Sequence, residues 1–395
     1  MKTSLINKIP RVCVVDALRG LAVMAIVIIH SVEHFIYPVY PDKAIQPEWL
    51  VTLDSLVFNV IFSLIAGKGY SIFALLFGFT FYIQFINQQN KGYDFRGRFI
   101  WRLLILSAFA TINAAFFPGG DVLLLFVITG FSLPLVCKMS NKAILIIALI
   151  CLLQPIELFH FVSSLLNESY TLPSLNVGGL YEIVQEGVKT GNWKTFLLEN
   201  ISTGQKASLL WAIGSGRFVQ TIGLFLLGFL LSRKNLFVNS RENTRFWIKT
   251  LIISSILFGL LYPLKVEWYD NVKNTMLKSS IGTALDMWQK LAFTLVILSS
   301  FITAYYNSSF KTILSKLKVY GRMSLTNYIS QSIIGAFIFF PIGLNLSPYL
   351  GYSASLMVGI FIFIFQLYLN HKWFQSYKQG PLEKLWYKAT WIGHL

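Results

Sequence analysis

Along this chain, apolar residues are gathered into long blocks separated by short polar or Pro/Gly-rich breaks. Ten blocks approach or exceed the length at which a helix spans a hydrocarbon core, about 20 residues for about 30 Å. They cover 14–36, 69–86, 100–117, 121–137, 142–163, 210–231, 246–264, 281–305, 324–345 and 349–371. Short alternating strands with regular turns are absent, which argues against a β-barrel. An eleventh stretch, 51–66, is shorter and contains Asp54 and Asn59. The pattern predicts an all-α polytopic membrane protein with about ten transmembrane helices and a surface or re-entrant helix at 51–66. No linker, repeat or low-complexity tract divides it, so 1–395 reads as a single transmembrane domain. Within it, 164–209 is expected to cap the outer mouth, 265–280 to face outward as well, and 372–395 to form a cytoplasmic tail.

Composition sharpens this picture. Of the 395 residues 55% are hydrophobic and 13% charged, where a soluble domain carries roughly a quarter charged residues. Soluble enzymes, nucleic-acid binders and disordered proteins are excluded. The 33 Lys+Arg outnumber the 17 Asp+Glu, and in a membrane protein that excess speaks to sidedness. If 51–66 does not cross and both termini are cytoplasmic, most basic residues fall inside, from Lys2, Lys8 and Arg11 through Lys91, Arg96 and Arg98 to Lys384 and Lys388. If it crosses, every later loop inverts. The charge distribution therefore predicts a multi-pass protein of the bacterial inner (plasma) membrane with both termini cytoplasmic. The first apolar block exceeds a signal-peptide core and lacks a small-x-small cleavage site, so it reads as a retained helix. Cys13, Cys137 and Cys151 show no CxxC spacing and predict packing rather than a disulfide framework or a metal site.

Ionisable residues inside apolar blocks are costly and mark candidate sites. The first block carries Asp16, Arg19, His30, Glu33 and His34. At about 100° per residue, Arg19 and His30 return to one face and the other three flank it. Asn113, Asp121, Gln154, Glu157, His160, Arg217, Gln220, Asp286, Gln289 and Lys290 fall in the outer half of other blocks, the pattern of a wet cavity. For Asp286 and Lys290, helix-end polarity at the headgroup level accounts for the pattern equally well. The inner half carries Arg19, Arg102, Arg322, Ser324, Asn327 and Gln331. Asn327 and Gln331 share a helix face at i, i+4, where helix–helix hydrogen bonding is the alternative to substrate contact. Arginines at a cytoplasmic mouth suit phosphates. No P-loop, HExxH or dinucleotide fingerprint occurs. Glycines in Phe73–Phe79 and near Gly228 predict close helix packing.

The motifs DALRGLA (Asp16–Ala22), FALLFGF (Phe73–Phe79), GDVL (Gly120–Leu123), LLG (Leu226–Gly228), GRMSLTNYISQS (Gly321–Ser332) and GPLEKLW (Gly380–Trp386) occur in that order. This set resembles the YeiB-like membrane proteins, whose C-terminal half carries domain of unknown function 418. That family is grouped with heparan-α-glucosaminide N-acetyltransferase and, more distantly, with acyltransferase-3 membrane proteins. The Arg19…His30 spacing is similar to the first-helix pattern of the latter. The chain departs from the family in having His30 where Asn is usual and Asn113 where His is usual, as though imidazole and amide had exchanged helices.

The resemblance implies transfer of an acyl group from a cytoplasmic acyl-CoA-like donor to an acceptor (sugar, hydroxyl or amine) at the outer side. In that reading His30, Glu33, His34, Asp121 and Asn113 form the catalytic set, with His30 as general base or acyl carrier. Arg217, Gln220, Asn327 and Gln331 bind the acceptor, and Arg19, Arg102 and Arg322 hold the donor's phosphates. The expected partners are the lipid bilayer and small-molecule donor and acceptor, with no nucleic acid and a homo-oligomer left open. The competing expectation is a transporter or exporter of a small polar or anionic solute, against which stands the lack of any inverted repeat or paired broken helices in the sequence. A scaffold without a small-molecule site leaves the polar layer unexplained.

Overall fold

The computed structural model describes residues 11–392 apart from Pro38, Glu168, Ser308 and Ser309. Lys2 and Lys8, which enter the charge argument, lie outside the described residues. Every regular element among the described residues is a helix. The first half contains α1 (Cys13–Ile29), α2 (Glu48–Ile65), α3 (Lys68–Gln89), α4 (Arg96–Phe116), α5 (Leu123–Gly130), α6 (Ser132–Val136), α7 (Asn141–Leu152) and α8 (Pro155–Leu166). Three short helices follow: α9 (Val177–Lys189), α10 (Trp193–Glu199) and α11 (Gln205–Gly214). The remainder is α12 (Arg217–Arg233), α13 (Arg241–Asn271), α14 (Thr275–Asn307), α15 (Lys311–Gly321), α16 (Ser324–Phe339), α17 (Tyr352–Ser376) and α18 (Pro381–Thr390).

Six of these helices or helix pairs are long and apolar enough to cross a membrane, and up to eight if each sharply bent pair counts as one span. Breaks that the hydropathy pattern does not show account for three of the four missing blocks, and the fourth, 324–345, holds only the 16-residue α16. The block 142–163 divides into α7 and α8, bent by 50°. Gln154 is left-handed there and Pro155 has no N–H with which to continue the ladder. The block 210–231 divides at Ser215-Gly216, where α11 and α12 meet at 77° across left-handed Gly216. The block 121–137 is two short helices, α5 and α6.

The stretch 51–66, expected as a surface or re-entrant helix, forms most of a helix of its own. It lies in α2, which joins α3 across left-handed Gly67 in one 42-residue apolar run. Among α2 residues only Asp54 is buried, while Trp49, Leu53, Leu56, Val60, Phe62 and Leu64 are exposed. Such a face is unfavourable in water and suits lipid. Asp54 turns inward to accept hydrogen bonds from the Ser353 N–H (2.8 Å) and hydroxyl at the start of α17. The expected outward segment 265–280 is also mostly helical, because α13 continues to Asn271 and α14 resumes at Thr275. Paired broken helices therefore do exist in this chain.

Packing of the core elements follows from small residues. Gly78 of α3 lies against the Phe225 carbonyl, and Gly228 of α12 against the Leu75 carbonyl, so closely that a side chain at either would strike backbone. Gly20 and Gly321 permit the same approach of α1 and α15. Gly78→Leu or Gly228→Leu is therefore expected to abolish the folded species in detergent, since backbone cannot yield as a side chain does. A monodisperse size-exclusion peak for either variant contradicts this packing.

Candidate functional site

Two cavities lie at successive levels of the same helices. The first, about 440 Å³, is lined on α1 and the turn after it by Ala25, Ile26, Ile29, His30, Glu33, His34 and Tyr37. Gly67, Tyr70, Gly119, Gly120, Val122, Trp211, Arg217, Lys290 and Tyr328 complete its wall. Tyr181, Val184, Gln185 and Val188 of α9 lie across it, and the cap is tied on by Tyr181 donating to the Gly119 carbonyl (2.9 Å) and by Gln185 donating to Tyr37. The second cavity, about 290 Å³, is lined by Arg11, Arg19, Thr80, Arg102, Arg322, Lys378, Glu383, Trp386 and Tyr387, with an apolar floor that includes Phe73, Leu123, Phe126 and Leu325.

The partition between them is thin. Val122 lines the first cavity and the adjacent Leu123 the second; Tyr70 and Tyr328 line the first, Phe73 and Leu325 the second. Each of the latter pairs is one helical turn apart, about 4.5 Å along the axis. Arg19 and His30 are separated by eleven residues, about 16 Å of helix.

His30 is buried, with its ring 4.2 Å from Phe117, 5.5 Å from His34 and 6.1 Å from Tyr328, centre to centre. Its Nδ1 has no hydrogen-bond partner, and no bond joins it to Glu33 or Asp121. The helix widens here into a π-turn, His30–His34, with the Phe35 N–H reaching the His30 carbonyl (2.9 Å). The 100° spacing that predicted the stripe therefore ends at His30, yet the wider turn still places Glu33 and His34 on the cavity wall, 3.8 Å apart.

Asn113 and Asp121 meet each other rather than the cavity. Asn113 Nδ2 donates to Asp121 Oδ1 (2.9 Å), which also accepts the Leu123 N–H (3.1 Å). The eight-residue spacing thus serves a pairing behind the wall. Gln220 donates to the Met287 carbonyl (3.2 Å) and Asn327 to the Tyr320 carbonyl (3.0 Å), so both tie helices together. Gln331 is fully buried, with neither side-chain atom partnered, and lines neither cavity. Arg217 lines the first cavity; Arg19, Arg102 and Arg322 all line the second.

The arginines of the second cavity are held by few carboxylates. Asp16 pairs with Arg19 (3.0 Å) and Arg11, and Arg19 also donates to the Thr80 hydroxyl (2.6 Å). Arg102 lies over the Trp386 ring at 3.5 Å, and Arg322 over Phe374 at 3.9 Å while donating to the Lys378 carbonyl (2.8 Å).

The tail is part of this cavity. Glu383 of α18 accepts the Leu325 N–H (2.8 Å), the Thr326 N–H (3.0 Å) and the Thr326 hydroxyl (2.7 Å), thereby capping α16. Burial pushes its carboxyl above the ordinary range, and the Thr326 and Leu325 bonds pull it partly back. Trp386, Tyr328 and Glu383 are wall residues that residue-by-residue reading passes over. The signal available was the pair of motifs containing them, Gly321–Ser332 and Gly380–Trp386. Glu383→Ala strands two backbone donors and is expected to cost about 1–3 kcal/mol, read as a lower thermal-unfolding midpoint in detergent. Glu383→Gln should recover part of it; equal midpoints for all three proteins refute the cap.

Residues 231–393 match the family described as protein of unknown function, DUF418. Over that region, less than half of the chain, the sequence is similar to the DUF418 family. It is similar along nearly its whole length to the uncharacterized protein YxaH of Bacillus subtilis, with 25% identity covering 97% of this chain and 94% of that one. It is also similar to an uncharacterized 39.9 kDa protein in the amylase 3′ region of Bacillus acidopullulyticus, with 23% identity covering 96% and 94% respectively. No solved structure matches. The DUF418 region supplies Lys290, Arg322, Tyr328 and Glu383; His30, Arg19, Arg102 and Arg217 come from the part before it.

Proposed function

We propose that this protein is a membrane acyltransferase working across the thin partition. The observation that carries the reading is the back-to-back placement of an arginine-lined cavity and an imidazole-lined cavity. Arg19, Arg102 and Arg322 would hold the phosphates of a cytoplasmic acyl-CoA, with Trp386 and Tyr387 beside them. An extended pantetheine arm is about as long as the 16 Å between Arg19 and His30, so it would bring the thioester past Leu325 and Phe126 to Tyr328. There His30 takes the proton from an acceptor hydroxyl or amine; the acceptor bonds to the acyl carbon, the C–S bond breaks, and the thiol leaves protonated. Arg217 would orient the acceptor in the first cavity.

In this reading both termini and the 90–95 loop are cytoplasmic and the α9–α11 cap is external, as the positive-inside rule requires. The ten-crossing count belongs to the same proposal, with the bent and short helices completing it. A Lys91→Cys variant is expected to resist impermeant thiol reagents in intact cells. The acyl-transfer test is mass spectrometry and calorimetry of the purified protein with CoA and acetyl-CoA: bound CoA supports it, and no affinity for either overturns it.

The competing reading, a transporter of an anionic solute, gains from the breaks at Gly67 and Gly216, both beside the first cavity. Broken helices of this kind bind solutes in transporters. Solute counter-flow in proteoliposomes without acyl chemistry would favour it.

A further inference from the structure

The wall of the first cavity built by α3, α12 and α14 carries more positive charge than the protein itself balances. Arg217 and Lys290 line the cavity there. Their side chains converge on Gly67, where a Cβ would sit 3.5 Å from Arg217 Nη2 and 3.3 Å from Lys290 Cδ. Lys68, only 3% exposed, stands next to Gly67 and donates to the Ser63 carbonyl (2.7 Å). Lys265 of α13 shares Asp286 with Lys290. Four cations thus face two carboxylates, Asp286 and Glu33, and Glu33 pairs with His34. Arg217 forms no ion pair among the described residues. Its guanidinium packs on the ring faces of Trp211 (4.4 Å) and Tyr70 (5.2 Å), which orients the plane and leaves its N–H edges for a ligand.

Two helix starts reinforce the same wall. The first intrahelical bonds of α3 and α12 are Ser71 N–H to the Gly67 carbonyl and Gln220 N–H to the Gly216 carbonyl. The N–H groups before them belong to the positive ends of helices of 22 and 17 residues. His30, 8% exposed and with Nδ1 unpartnered, lines this cavity as well.

We propose that the acceptor taken by this cavity carries a phosphate group, seated between Arg217 and Lys290 with Lys68 behind them. The inference rests on reading the cavity as the acceptor site. A dianionic phosphate offsets the two unbalanced charges and uses the free guanidinium edge bidentately; a neutral sugar leaves both uncompensated. The phosphate monoester belongs either to a lipid, phosphatidic acid, or to a soluble ester, and both present the same dianionic group to Arg217.

The test uses full-length purified protein. Glycerol 3-phosphate and glycerol are titrated by calorimetry, and native mass spectrometry reads retention of phosphatidic acid against diacylglycerol from nanodiscs. Glycerol 3-phosphate or phosphatidic acid is expected to bind, with affinity lowered at least about tenfold in Arg217→Gln and Lys290→Gln while CoA affinity at the arginine cavity is kept. The first probe alone assigns a soluble ester, the second alone a lipid. Binding of neither, or equal binding by parent and variants, overturns the proposal. If Arg217→Gln fails to fold, Lys290→Gln and Arg217→Lys carry the same test, the latter retaining part of the affinity. A parent that binds the phosphate probe but no CoA supports the phosphate seat and contradicts acyl transfer.

Discussion

His30→Gln is expected to lower acyl transfer by about 10²–10⁴-fold, the usual contribution of a positioned general base. Affinity for CoA should stay within about twofold, because His30 lines the first cavity and none of the donor's proposed phosphate ligands is near it in the wall. Gln keeps a polar side chain of similar reach against Phe117, so a folding defect is not expected. Single-turnover transfer from labelled acetyl-CoA is the readout. A variant with parental rate removes His30 from the chemistry. His30→Asn combined with Asn113→His then asks whether the two helices are interchangeable. Asn113 bonds Asp121 behind the wall, so the double variant creates an imidazole–carboxylate pair there. Partial recovery of transfer means that pair reaches the acceptor; none means that the base must stand at position 30.

Arg102→Ala is the second large effect. The guanidinium stacks on Trp386 and has no carboxylate partner among the described residues, so its charge is available to a donor phosphate. Loss of a desolvated charge contact costs about 2–5 kcal/mol, which is at least a tenfold loss of CoA affinity by calorimetry. Arg19→Ala is expected to do the same with an added stability cost, because it also frees Asp16 and Thr80 from their guanidinium partner. Arg102→Lys should restore charge without the planar fork and recover only part of the affinity. Parental CoA affinity in Arg102→Ala would detach the arginine cavity from the donor.

Much of this architecture was legible from block lengths, because lipid exposure requires apolar runs that water does not. What escaped was the interruption of helices. Gly67 and Gly216 sit within apolar text and break it through backbone conformation, which hydropathy does not register. The π-turn at His30–His34 escaped for the same reason. Arg19, Arg102, Arg322 and Arg217 were legible as candidates because a guanidinium in an apolar block has few inexpensive explanations. Gln220 and Asn327 were not separable from them: an amide that ties two backbones and one that meets a ligand read alike in one dimension. Trp386 was hidden by the abundance of aromatic residues, 16% of the chain, and Glu383 by a tail whose composition looks solvent-facing.

The proposed reaction passes an acyl group from the arginine cavity to the histidine cavity. Its most direct measurement places labelled acetyl-CoA inside proteoliposomes of right-side-out protein, with a mixture of hydroxyl, amine and phosphate-bearing acceptors outside. Label is expected in an external acylated product, with CoA thiol appearing inside in equal amount, and neither with His30→Gln. Thiol release without external product, or no release from a parent protein that retains its fold, would contradict it.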